Sequence, residues 1–196
     1  MVKLIIFDVG GVLLDFSEEE YSAYITHKLG INEKDFLKTL RALLKKAEVG
    51  RLPAKRMERI LSSKFHVPVS KLEFRQSFWN LAKLDQNVIS IATKLSKRYK
   101  VVLLTNVCFV RYRQMKRMLL DKLDFKVFAS CYIRMAKPSA RLYKYVLKKM
   151  HVKPNEAIFI DNLERNVEGA RQVGIKSIRF ESYDKLVKEL IEDGVL

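Results

Sequence analysis

Apolar and polar positions change period along this chain, and the changes mark out its architecture. Residues 3–7, KLIIF, form a short aliphatic and aromatic run that stops at Asp8, Val9 and the pair Gly10-Gly11, the pattern of a buried strand feeding a tight turn. From about residue 17 to 84 apolar residues recur every three or four positions, in EYSAYITHKL, DFLKTLRALL, KRMERILSSKF and KLEFRQSFWNLAKL. Gly30, Gly50, Pro53, Pro68 and Ser70 fall between these runs at plausible helix ends, so the stretch predicts about four helices packed on one another. After residue 85 strand and helix patterns alternate: QNVISIATKLSKRY (helix), VVLLT (strand), RYRQMKRMLL (helix) and KVFAS (strand). ARLYKYVLKKM (helix), AIFID (strand), ERNVEGARQV (helix), KSIRF (strand) and SYDKLVKELIED (helix) follow.

Such alternation predicts an α/β fold with a doubly wound, mostly parallel sheet covered on both faces. The expected organisation is a core of residues 1–15 and 85–196, with residues 16–84 inserted as a four-helix cap near the strand ends where ligands bind in such sheets. No internal repeat or low-complexity segment interrupts this reading.

Composition narrows the class. A chain of 196 residues buries a core without staples, and Cys108 and Cys131, in apolar surroundings without metal-ligand spacing, read as core filler. The opening segment carries an acid inside its apolar run and no small-residue cleavage site, and no run reaches membrane-spanning length. The expectation is a soluble, cytoplasmic protein without a membrane partner, as a monomer or homodimer. The net charge of +16 suits attraction to nucleic acid, acidic membranes or phosphorylated substrates. Its lysines and arginines are spread along amphipathic segments with no nucleic-acid motif, so solvated helix faces are expected, and nucleic acid is not the favoured partner. His27, His66 and His151 have no metal-ligand spacing and read as structural.

Candidate chemistry collects at the strand ends. Asp8 follows the first strand, Thr105-Asn106 follows VVLL, Lys137-Pro138 precedes a helix, and Asp161-Asn162 follows AIFI. A carboxylate so placed can attack phosphorus and split hydrolysis into formation and breakdown of an aspartyl-phosphate. The phosphoryl oxygens then call for a magnesium ion, a lysine, and hydroxyl, amide and backbone donors.

FDVGGVL, LLTN, KPSARLY and FIDNLERNVEGA occur in the order of the four motifs of the haloacid-dehalogenase-like hydrolases, and the chain resembles that superfamily's small sugar-phosphate phosphatases. The resemblance implies a Rossmann-like core, a helical cap after the first motif, and a magnesium-dependent phosphatase acting on a small phosphorylated metabolite. It makes Asp8 the nucleophile and a metal ligand, Asp161 and the Gly10 carbonyl the other protein metal ligands, and Gly11, Thr105, Asn106 and Lys137 the phosphate-binding residues.

The sequence departs from the family pattern in three places. Gly10 stands where these phosphatases usually carry the aspartate that protonates the leaving oxygen; Asp15, Glu18, Glu19 and Glu48 are candidate substitutes that spacing does not rank. Asn162 replaces a frequent acid, with Glu164 a possible partial compensation, and Arg134 stands where glycine is common. Two rivals stay open: a degenerate binding protein with little catalysis, and a metal-independent dehalogenase. Arg165 and Asn166 read as a helix face and a first-turn contact, and Trp79 with Phe74 and Phe78 as cap core.

Overall fold

A computed structural model describes residues 1–196. Strand β1 (Leu4–Phe7) leads through a tight turn into the two-residue strand β2 (Leu14–Asp15). Four helices follow: α1 (Glu18–Leu29), α2 (Glu33–Ala47), α3 (Ala54–Phe65) and α4 (Gln76–Leu81). Strand β3 (Lys83–Leu84) then pairs antiparallel with β2, Leu14 opposite Leu84 and Asp15 opposite Lys83, so the insert leaves and rejoins the core at one small ribbon. The rest of the chain runs α5 (Gln86–Ser96), β4 (Lys100–Thr105), α6 (Phe109–Met118), β5 (Lys126–Ala129) and α7 (Ser130–Ile133). It closes with α8 (Ala140–Met150), β6 (Ala157–Asp161), α9 (Glu164–Arg171), β7 (Lys176–Arg179) and α10 (Tyr183–Glu192).

The five longer strands form one parallel sheet in the order β5-β4-β1-β6-β7. Because side chains alternate across a strand, β1 sends Ile5 and Phe7 into a core with α5, α6 and α10, and Leu4 and Ile6 into a second core with α8 and α9. That double burial is why KLIIF and AIFI read as continuous apolar runs rather than alternating ones. The insert has a core of its own around Tyr21, Ile25, Phe36, Leu40, Met57 and Leu61. Ser17 caps α1 through a reciprocal capping box with Glu20, Asn32 caps α2, and Gly30 ends α1 in the left-handed region.

The insert is pinned to the core at α6. Arg111 is buried among the rings of Phe74 at 4.3 Å, Phe16 at 4.6 Å, Phe78 at 5.2 Å and Tyr21 at 5.7 Å, and it bonds to Gln114 and Ser77. Gln114 in turn donates to the Arg75 carbonyl at 2.7 Å. Phe74 and Phe78 are core residues, as expected, but Trp79 is 44% exposed, turned to solvent with its ring edge-on to Phe78. Three-residue apolar spacing on the short α4 assigns one face to the interior, and Trp79 lies off it. The two cysteines are buried and unpaired, and all three histidines are exposed, His66 and His151 ending helices with positive φ.

Candidate active site

Strand register brings the acids together. Phe7 on β1 pairs with Leu103 on β4 and Ile160 on β6, so the next residues, Asp8 and Asp161, emerge side by side at the carboxyl edge of the sheet. Thr105 closes β4 just beyond them and is buried. Lys137, between α7 and α8, places its ammonium 2.7 Å from Asp8 Oδ1 and 2.7 Å from Asp161 Oδ2, over the ring of Phe159. All three charged groups are shut away from water, at 6%, 0% and 5% exposure for Asp8, Asp161 and Lys137.

One ammonium serves two carboxyl groups, so the enclosed site would carry an excess negative charge whenever both are ionised. Burial, and then the charge of Asp161, raise the pKa of Asp8 to about 8 against the opposing pull of Lys137. At Lys137 burial favours the neutral amine, but the two carboxylates overcome it and hold the pKa above the ordinary lysine value. Asp8 Oδ1 also accepts the Val9 N–H at 2.6 Å, leaving Oδ2 without a hydrogen bond.

The surrounding residues fix this triad. Asn106 accepts the Lys137 N–H at 2.8 Å and donates to the Lys137 carbonyl at 3.0 Å, so its amide grips the backbone that carries the lysine. Asn166, in the first turn of α9, donates to both carboxylate oxygens of Asp161 at 3.0 Å, and the Leu163 N–H adds a bond of 2.9 Å. Sequence reasoning gave Asn166 only a first-turn contact; its signal was an amide five residues after a buried acid. Gly11 donates to the Leu14 carbonyl at 2.7 Å, while the backbone N–H groups of Gly10, Asn106 and Asn162 donate to no protein acceptor. Gly11 must be glycine: its φ is +76°, and an added Cβ would lie 2.2 Å from the Asn162 side chain. At Gly10, by contrast, an added Cβ would meet nothing within 4 Å.

The other departures have plain locations. Arg134 is exposed and ends α7 at φ 59°, which accounts for glycine being favoured there. Glu164 is exposed and paired with Arg171 at 3.2 Å and Arg179 at 3.5 Å, committed to the surface. Glu18 and Glu19 pair with Arg41, and Asp15 is exposed in the ribbon.

The donor set suits a hard divalent cation. Two carboxyl groups stand side by side sharing one ammonium, and the Asn162 Oδ1 is buried with no hydrogen-bond partner, an oxygen that a cation or its bound water would satisfy. No cluster of three or more acidic, histidine or cysteine side chains forms, so the residues fit a site completed by neutral oxygens rather than a closed all-protein cage.

The chain is similar to known proteins over most of its length. It is 26% identical over 199 aligned positions to D-ribitol-5-phosphate phosphatase of Bacteroides thetaiotaomicron, covering 93% of each chain. It is 28% identical over 179 positions to a sesquiterpene phosphatase of Aspergillus oryzae, covering 88% of this chain and 87% of that one. Among solved structures, a haloacid dehalogenase family enzyme of Bacteroides thetaiotaomicron in its magnesium complex superposes with a TM-score of 0.81 at 21% identity, covering 95% and 98% of the two chains. The model of the haloacid dehalogenase-like hydrolases matches residues 2–174, through both acids and the lysine between them, and the chain belongs to that hydrolase family.

Proposed function

We propose that this hydrolase is a magnesium-dependent phosphatase that cleaves a small phosphorylated metabolite through an aspartyl-phosphate on Asp8. One observation carries the reading: a buried aspartate with an unengaged Oδ2 lies beside a second aspartate and shares its lysine. The phosphatases among the relatives support the same class of reaction.

In this reading Asp8 Oδ2 attacks phosphorus while Lys137 neutralises charge on the transferred group. The Thr105 hydroxyl and the free N–H groups of Gly10 and Asn106 hold the phosphoryl oxygens, and Asn106 keeps Lys137 in place. Asp8, Asp161 and the Gly10 carbonyl would hold magnesium, which supplies further charge compensation when bound. Asn166 and the Leu163 N–H orient Asp161 for that task. The helical insert, seated above the strand ends, excludes water and selects the substrate.

The test is hydrolysis of an aryl phosphate by wild type and Asp8→Asn, with magnesium and with chelator, followed by a panel of sugar and polyol phosphates. Turnover should require both Asp8 and the metal, and one phosphorylated metabolite should exceed the others in kcat/KM. Metal-independent release of halide from a haloacid, or no turnover of any ester, would overturn the proposal.

A further inference from the structure

The phosphatase reading leaves a chemical gap at Gly10, which has no side chain to protonate the departing oxygen. Resting on that reading, we propose that Glu48, at the end of α2 in the helical insert, is the general acid–base of this site. Two contacts dock its backbone on the core beside the site. Its carbonyl accepts the Ser130 hydroxyl at 2.7 Å, and the same Ser130 oxygen accepts the Val107 N–H at 2.9 Å, two residues beyond Thr105. Glu48 is thereby tied through one side chain to the loop that carries Thr105 and Asn106. Two residues further on, Gly50 lies so close to α7 that an added Cβ would come within 2.9 Å of the Cys131 carbonyl. The α2–α3 turn is thus docked on the core beside the site.

The Glu48 carboxyl stands in the fields of Lys137 and Arg165 from the core, Glu18 from α1 and Lys45 from its own helix, and it influences the Cys108 thiol at the start of α6. Lys137 is the ammonium shared by Asp8 and Asp161. Unlike Glu18 and Glu19, which Arg41 engages, Glu48 forms no ion pair, and no side-chain hydrogen bond contributes to its titration. Burial first, and Glu18 second, raise its pKa to about 7, where a carboxyl can serve both as acid and as base near neutrality.

The steps balance. As Asp8 Oδ2 bonds to phosphorus and the ester P–O bond breaks, the leaving oxygen takes the Glu48 proton. The resulting Glu48 carboxylate then takes a proton from the water whose oxygen attacks the aspartyl-phosphate. The bond between Asp8 and phosphorus breaks, releasing phosphate and restoring a protonated Glu48.

The experiment compares wild type, Glu48→Gln, Gly10→Asp and the double variant, all full-length with magnesium, on 4-nitrophenyl phosphate and on an alkyl ester such as ribitol 5-phosphate. Glu48→Gln should lower kcat/KM on the alkyl ester about 10²-fold or more, and on the aryl ester, whose leaving group needs no proton, by less than about fivefold. Because the space around Gly10 is open, Gly10→Asp should restore most of the alkyl activity in the double variant. The fall in wild-type alkyl turnover as pH rises through about 7 should flatten in Glu48→Gln. Equal losses on both esters, no loss on either, or failure of Gly10→Asp to rescue would overturn the assignment. Absence of Asp8-dependent aryl hydrolysis in wild type and Gly10→Asp alike would instead sink the phosphatase reading, and the assignment with it.

Discussion

Two buried cations are held in opposite ways in this molecule. Lys137, at the sheet edge, faces two carboxylates 2.7 Å away, while Arg111, where α6 meets the insert, faces aromatic rings and the neutral side chains of Gln114 and Ser77. The titration behaviour follows the surroundings: carboxylates outweigh burial at Lys137 and raise its pKa, whereas burial dominates at Arg111 and lowers its pKa to about 10. In the proposed reaction, Lys137 is placed among groups whose charge would change. Arg111 has no carboxylate in ion-pair contact, Glu58 acting on it only from a distance, and its planar shape fills space between rings.

That contrast breaks most severely at Lys137. Lys137→Met keeps the stem and removes the charge, so hydrolysis should fall about 10³-fold while the fold persists; kcat/KM beside a urea titration checks both halves. Arg111→Ala should do the reverse. Removing the side chain from its aromatic cage leaves a cavity, at a cost of about 3 kcal/mol in unfolding free energy.

Glu48→Gln sharpens the comparison through pH. A folded-state pKa raised from 4.5 to about 7 means that the native protein holds a proton which the unfolded chain releases between those values. The associated stability is fully present below pH 4.5 and is lost as pH rises through about 7. The variant, which cannot ionise, should therefore gain on wild type by roughly 3 kcal/mol at pH 8 relative to pH 4.5, read from denaturant midpoints at the two values. The smallest effect belongs to Arg111→Met, expected to alter stability by less than about 1 kcal/mol because lost cation–π attraction is offset by relief of a desolvated charge. A loss as large as that of Arg111→Ala would show that the charge, rather than the volume, holds the junction.

The sheet was legible in the sequence because strands buried on both faces leave continuous apolar runs, and Asp8, Thr105 and Asp161 stand directly after three of them. Lys137 follows no strand, and only its motif drew attention to it. The duties of Asn106 and Asn166 were hidden for a different reason. An amide after a strand and an amide in a first helical turn both look like capping residues, and only the packed structure turns one toward the backbone of Lys137 and the other toward Asp161. Gly169 in NVEGA illustrates the same limit: an added Cβ would meet the Pro138 carbonyl at 2.6 Å, a contact between segments far apart in the chain. Glu48 could not be ranked above Glu18 or Glu19 by spacing, since what separates them is the Arg41 side chain from one helix turn and the Ser130 hydroxyl from the core.

The ribbon of β2 and β3 makes the insert interchangeable in principle. Leu14 and Leu84 face each other across one antiparallel pair, so residues 16–82 are, to the sheet, a hairpin loop whose two ends already meet. Replacing such a loop by a longer, shorter or unrelated one alters chain-closure entropy only logarithmically and leaves every strand register intact. A family that grafts different segments onto such an anchorage can diversify what it recognises while Asp8, Asp161 and Lys137 stay in place on the sheet edge, and, with Glu48 carried in the insert, can exchange the proton donor as well.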